Sequence, residues 1–186
     1  MQLSSPYSQM KPHPSGKETT SQDASPDFET AFHTYWPRLH ALLSRLTGDP
    51  DQAEDLALEV FLRLHREPRL LGPGQNLSAW LYRVAANLGY NALRAARRRQ
   101  KYETEAGQLA LHNTISDPAR EAERNLEQAQ VRNTLAAMKP RDAQLLLLRH
   151  SGLSYTELAA ALQLNPASIG QLLSRAEKEF EKRFTP

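Results

Sequence analysis

Six polar side chains recur at steps of three and four along one stretch: Arg83, Asn87, Asn91, Arg94, Arg98 and Lys101. On a helix that spacing lines them along a single face, with Tyr90 close beside it. No acid interrupts the stretch, and Arg97 and Arg99 add to its charge. Guanidinium groups fork onto phosphate oxygens, amide side chains hydrogen-bond base edges, and an aromatic ring stacks on an unpaired base. The chemistry on offer is non-covalent recognition of nucleic acid. A solvated basic helix end beside its C-terminal dipole would account for Arg97 to Lys101. It would not account for Arg83 and two asparagines on the same line.

A second constellation has the opposite sign. Asp49, Asp51, Glu54, Asp55 and Glu59 crowd into eleven residues. Asp51, Asp55 and Glu59 stand four apart on one helical face, with Glu54 beside them. Acids in a first helical turn also complement the helix dipole, so this face reads either as solvated helix surface or as a docking site.

The third constellation lies near the C-terminus, in LSYTELAAALQLNPASIGQLLSRAEKEFEKRF. Ser154 followed by Glu157 is a capping box, and a short helix with Leu158, Ala159 and Leu162 turned inward follows it. Asn165-Pro166 then opens a second helix, with Asn as N-cap and Pro at the first helical position. Two helices separated by so few residues have the plan of a helix-turn-helix, whose second helix enters the major groove, or of an ordinary helical hairpin.

No covalent chemistry is evident. His33, His40 and His65 are scattered, with no carboxylate or thiol spacing that would make a metal site or a nucleophile. Gly72-Pro73-Gly74 lacks the residues that complete a phosphate loop. The sequence calls for no catalytic residue, no metal and no cofactor. Zero cysteines exclude a disulfide framework, and the longest apolar run, Leu145 to Leu148, is far short of a membrane span. A net charge of +2 over 186 residues matters less than its segregation.

The elements that must position these groups are helical throughout. Residues 1–27 are rich in Ser, Thr, Pro and Gln and read as a disordered tail. Phe28, Phe32, Tyr35, Trp36, Leu39, Leu42, Leu43 and Leu46 define a first helix, stopped at Gly48-Asp49-Pro50. A second, from about Asp51, turns Ala53, Leu56, Ala57, Val60, Phe61 and Leu64 inward. The third runs from about Ser78, a possible cap, to Lys101, with Trp80, Leu81, Val84, Ala85, Leu88, Ala92 and Ala95 as its apolar stripe. Residues 102–118 read as a flexible linker. Leu126, Ala129, Leu135 and Met138 begin a second helical domain over 119–186, in which Arg141 to His150 precedes the helix-turn-helix. The expected fold is all-α: two small helical domains, 28–101 and 119–186, joined by a linker.

Three blocks in this order resemble an extracytoplasmic-function sigma factor of bacterial RNA polymerase: DQAEDLALEVFLRL at 51–64, AWLYRVAANLGYNALRAARRR at 79–99, and LLLRHSGLSYTELAAALQLNPASIGQLLSRAEKEF at 146–180. The resemblance implies that the first domain is sigma region 2. Its acidic helix (Asp51, Glu54, Asp55, Leu58 and Glu59) would dock on the clamp helices of the beta-prime subunit. Trp80, Arg83, Asn87, Tyr90, Asn91, Arg94, Arg97 and Arg98 would read and open the minus-10 element, where extracting a base costs a few kcal/mol of stacking. The second domain would be sigma region 4, which touches the beta flap. It would read the minus-35 element through Asn165, Ala167, Ser168, Gln171, Ser174, Arg175 and Lys178. The implied partners are core RNA polymerase, promoter DNA and a possible anti-sigma factor. The implied setting is the bacterial cytoplasm, and the nucleoid when in holoenzyme, without membrane insertion.

Departures from the family pattern temper parts of this. Leu58 stands where Gln is common and Asn91 where Asp is frequent. Gln163 occupies the turn position usually held by Gly, and Gly170, Leu172 and Glu177 replace frequent Lys or Arg in the recognition helix. These changes point to weak minus-35 binding. They also leave two further function classes, a free-standing helix-turn-helix regulator and a sigma-like protein that sequesters an anti-sigma factor.

Overall fold

The structure, a computed structural model, describes residues 27–105 and 118–184. The expected tail and most of the expected linker lie outside these residues. Seven α-helices make up the described chain: α1 (Phe28–Thr47), α2 (Pro50–His65), α3 (Leu77–Glu105), α4 (Pro118–Ala137), α5 (Pro140–His150), α6 (Tyr155–Leu162) and α7 (Ile169–Arg183). Short 3-10 turns at Pro68–Leu71 and Pro166–Ser168 precede α3 and α7, and no strand occurs among the described residues.

The helix ends follow from side chains that satisfy otherwise orphaned amides. Asp27 accepts from the Thr30 amide at the start of α1. Gly48 closes α1 in the left-handed conformation, with φ of 67°. Asp49 then accepts from the amides of Asp51 and Gln52, opening α2 immediately afterwards. The cap of α3 is Asn76, whose side-chain oxygen accepts from the Ala79 amide, and not Ser78. Helix α3 begins one residue before Ser78, at Leu77, which is itself buried. The third helix also runs four residues past Lys101.

Helices α1, α2 and α3 bury Leu39, Leu42, Leu46, Val60, Phe61, Leu64 and Leu81 against one another. Trp36 stacks on Phe32 at 4.9 Å and reaches Phe61, so it serves packing, as expected. Gly89 gives α1 its close approach to α3. A methyl group there would come within 2.5 Å of Leu46 Cδ1, and Leu46 is fully buried. In the C-terminal half, Leu145, Leu148, Leu158, Ala161, Ile169, Leu173 and Ala176 close a second group around α5, α6 and α7. Leu126, part of the apolar pattern that opens the second domain, is 69% exposed.

Periodicity did not anticipate a second buried face on α3. Besides Leu81 and Ala85, which face α1 and α2, the helix buries Tyr82, Ala86, Tyr90 and Leu93. These residues belong to one continuous apolar cluster with Leu135, Ala136 and Met138 of the C-terminal half. The two halves therefore share a core across α3. A polar bond fixes the contact: the Tyr90 hydroxyl donates to the Met138 carbonyl at 2.7 Å. Gln144, itself buried, donates from its amide to Asn87 Oδ1, also at 2.7 Å. At the opposite end of the contact the Arg132 guanidinium lies against the Gly48 corner, so close that a methyl group there would be 2.7 Å from its Cζ. Burial lowers the Arg132 pKa.

Burial raises the Tyr90 phenol above its usual pKa, against the pull of Arg94 and Arg97. A folded value above the unfolded one means the stabilisation is complete below about pH 10 and is lost as pH rises through the folded pKa. Tyr90→Phe leaves the Met138 carbonyl without its donor and should cost about 1–2 kcal/mol in urea unfolding at neutral pH. The difference from the parent should shrink above about pH 10. An unchanged midpoint would show that this hydrogen bond contributes nothing net.

Candidate functional site

Helix α3 carries three faces, and the third is polar. Asn87, Asn91, Arg94, Arg97 and Arg98 are exposed along it, and Arg83 is half-buried at its N-terminal end. No carboxylate among the described residues lies within ion-pairing distance of Arg94, Arg97 or Arg98. These three arginines and Tyr90 line a cleft of about 260 Å³, closed on its far side by Met138 and Pro140. Two packed faces fix the rotational setting of α3, so the arginines are presented by a rigid element.

The remaining residues of the sequence-expected minus-10 set are placed differently. Trp80 is half-buried against the core. Tyr90 is 2% exposed, with its ring inside the shared core and its hydroxyl engaged by Met138. Asn87 is on the polar face, but its side-chain oxygen accepts from Gln144. No sequence signal marked Gln144 or Arg132, because both act across the interface between the halves.

The acidic face of α2 is assembled as its spacing implied. Asp51, Glu54 and Asp55 are exposed, and Glu59 pairs with Arg63 at 2.8 Å. Between them Leu58 and Leu62, one helical turn apart, are 42% and 50% exposed. The sequence singled out Leu58 but not Leu62. The result is a mixed surface on which Leu58 and Leu62 share a face with Asp51, Glu54 and Asp55.

In the C-terminal half the capping box is complete. Ser154 Oγ accepts from the Glu157 amide at 3.3 Å, and Glu157 Oε2 accepts from the Ser154 amide at 2.7 Å. The bonds to Ser154, with a smaller pull from Arg38 on α1, hold the Glu157 carboxyl below its usual value. Asn165 Oδ1 accepts from the Ala167 amide, but the first turn it caps is a 3-10 turn that passes directly into α7. Ile169, Leu173 and Ala176 point inward with half-buried Phe180, leaving Ala167, Gln171, Ser174, Arg175 and Lys178 exposed and Ser168 half-buried. Ser168 Oγ donates to the Asn165 carbonyl and Asn165 is spent on its cap, so both serve the turn first. Between α6 and α7, Gln163 holds the left-handed conformation, with φ of 56°.

Residues 31–99 match the model of Sigma-70 region 2, and residues 128–180 match that of Sigma-70, region 4. The ECF RNA polymerase sigma factor EcfG of Rhodopseudomonas palustris is 30% identical over 147 residues, covering 78% of this chain and 77% of that protein. RNA polymerase sigma-H factor of Pseudomonas aeruginosa is 28% identical over 169 residues, with 86% of each covered. The chain belongs to the extracytoplasmic-function family of RNA polymerase sigma factors. Among solved structures, CnrH in complex with the cytosolic domain of CnrY shares the fold at a TM-score of 0.57 and 20% identity, over 87% of this chain and 91% of that one. The sigma factor RpoE in complex with the anti-sigma factor NepR from Bartonella quintana does so at 0.54 and 23%, over 84% and 96%.

The left-handed Gln163 carries a side chain where glycine is free of steric cost. Gln163→Gly should raise stability by about 0.5–1 kcal/mol, the relief of strain less the added entropy of the unfolded chain. Thermal unfolding of the full chain checks this; a lower midpoint would mean that the side chain stabilises the turn by contacts of its own.

Proposed function

We propose that the chain works as a promoter-specificity subunit whose two polar faces on α2 and α3 divide the labour. The carrying observation is the row of arginines without carboxylate partners, with two asparagines beside them, on a helix fixed by packing on two sides. Such a face suits the phosphates and base edges of the minus-10 element, with Trp80, Arg83, Asn87, Tyr90, Asn91, Arg94, Arg97 and Arg98 as its residues. The α2 surface of Asp51, Glu54, Asp55, Leu58 and Glu59, joined by Leu62, suits the clamp helices of the beta-prime subunit. A free-standing regulator would have no use for it.

The recognition helix offers Gln171, Ser174, Arg175 and Lys178 to the minus-35 element, with Asn165, Ala167 and Ser168 at its start. Its charge is sparse, and the second domain, near 119–186, contributes less DNA affinity than the first, near 28–101. The protein's work is binding rather than covalent chemistry, in the bacterial cytoplasm and at the nucleoid once in holoenzyme. No helix among the described residues is long and apolar enough to cross a membrane. The likeness to the sigma factor RpoE, solved in complex with the anti-sigma factor NepR, supports an anti-sigma factor as a further ligand.

Binding of the labelled full chain to bacterial core RNA polymerase, beside a duplex-DNA control, is the test. Saturable binding to core with little affinity for duplex alone is expected; tight duplex binding without core affinity would overturn the proposal in favour of a free-standing regulator. Asp55→Lys with Glu59→Lys should weaken core binding about tenfold or more, since like charge opposite a basic partner costs kcal/mol. Unaltered affinity would remove α2 from the interface. Arg94→Glu, Arg97→Glu and Arg98→Glu together should spare core binding and lower open-complex formation at least about 100-fold. Transcription surviving that triple change would make the row a solvated face.

A further inference from the structure

We propose that the cleft beside α3 is a binding site for a free nucleoside polyphosphate. Its two walls differ in chemistry. One is the α3 face of Arg94, Arg97 and Arg98, and the other is Ala136, Ala137, Met138 and Pro140 at the α4–α5 corner. Tyr90 also lines the cleft, but its hydroxyl is already engaged by the Met138 carbonyl. Every polar group left among the lining side chains is therefore a guanidinium, which donates hydrogen bonds and accepts none. A ligand that fills the cleft must present acceptors to one wall and a flat or apolar body to the other.

The number of charges decides the kind of anion. Three guanidiniums at helical spacings of three and four repel one another, and no lining residue is acidic. A single carboxylate would leave two of them unmatched. A chain of phosphates carries charge on every group, and forked guanidinium donors match phosphate oxygens. A cleft with charge on one wall and apolar groups on the other also focuses the field on an incoming anion. Its volume of about 260 Å³ is roughly nine water volumes, close to the lower bound of small-ligand sites. The apolar wall of Met138 and Pro140 suits the face of a base. The same arginines face DNA in the proposed reading of α3, so nucleotide and DNA compete for them. The competition, though not the site, rests on α3 being the minus-10 reader. A seated nucleotide lowers the apparent DNA affinity, and DNA lowers that of the nucleotide by the same factor.

The test is calorimetric titration of the full chain with ATP and with GTP at physiological ionic strength, beside adenosine, inorganic phosphate and tripolyphosphate. Saturable binding of a nucleotide, at least about tenfold tighter than adenosine or inorganic phosphate, is expected. Tripolyphosphate should bind about three- to tenfold more weakly than the nucleotide, because it leaves the apolar wall uncovered. Tripolyphosphate as tight as the nucleotides would overturn the seat for a base, and with it the proposed ligand. Nucleotide binding that never saturates would overturn the site. Pro140→Glu puts a carboxylate on the wall opposite the arginines, at the exposed first position of α5, where an acid suits the helix dipole. It should weaken nucleotide binding at least about tenfold, and Pro140→Gln by about twofold or less. Ala137→Glu, on the same wall, serves if Pro140→Glu fails to fold. Nucleotide affinity unaltered by either carboxylate would overturn the site.

Arg94→Ala, Arg97→Ala and Arg98→Ala together, titrated with ATP and with a fluorescein-labelled single-stranded DNA pool, separate the site from the minus-10 reading. Loss of both activities is expected, with ATP displacing the DNA from the parent chain. If ATP binding is lost and DNA binding survives, the site stands and the minus-10 assignment falls. If DNA binding is lost and ATP binding survives, the assignment stands and the site falls. Parent chain that binds ATP but keeps its DNA at saturating ATP would overturn the competition.

Discussion

The burial of α3 on two sides is the constraint from which the rest follows. One face must be small enough to let α1 approach, which Gly89 and Ala85 provide. The other must present an apolar strip with a few polar anchors, which Tyr82, Ala86, Tyr90 and Leu93 provide together with Asn87. Only the third face is free of packing duty, and there the arginines collect. A helix held this way cannot roll, so long flexible side chains on its open face gain a fixed origin. Preorganised donors are what recognition of a phosphate row requires.

Polar groups at the contact between the halves are few and satisfied. No buried side-chain nitrogen or oxygen among the described residues lacks a hydrogen-bond partner. Such bonds add little net stability beside the apolar area, but an unmatched donor there would be costly, so they select one registration of the halves. Buried Gln144 illustrates this: its amide has a single well-placed acceptor, Asn87, and a slide by one helical turn would leave it without one.

Much of this was legible in the sequence wherever a local rule governed. The caps at Ser154 and Asn165, the strained turn at Gln163 and the inward row of α7 all depend on neighbours within four residues. The polar row on α3 and the acidic face of α2 were legible for the same reason, since helical periodicity alone assembles them. What stayed hidden was the second buried face of α3. A stripe of Ala, Tyr and Leu at helical spacing does not say whether it meets its own domain or another one. Tyr90 shows the difficulty, because an aromatic beside arginines reads equally as a stacking ring and as a core residue. Asn76 was overlooked as a cap because Ser78 offered the same chemistry two residues later.

Gly89 makes no hydrogen bond to a ligand and carries no chemistry, yet it governs where the chemistry points. Any side chain there would press on Leu43 and Leu46, both fully buried, and would have to displace them or roll α3 about its axis. Each residue around a helix advances by about 100°, so even a modest roll would swing the arginine row off its bearing. With α3 as the proposed promoter reader, selection for a promoter sequence acts on the azimuth of a helix through a residue outside its polar face. Drift in specificity within such a fold can begin in the packing, before any DNA-facing residue changes.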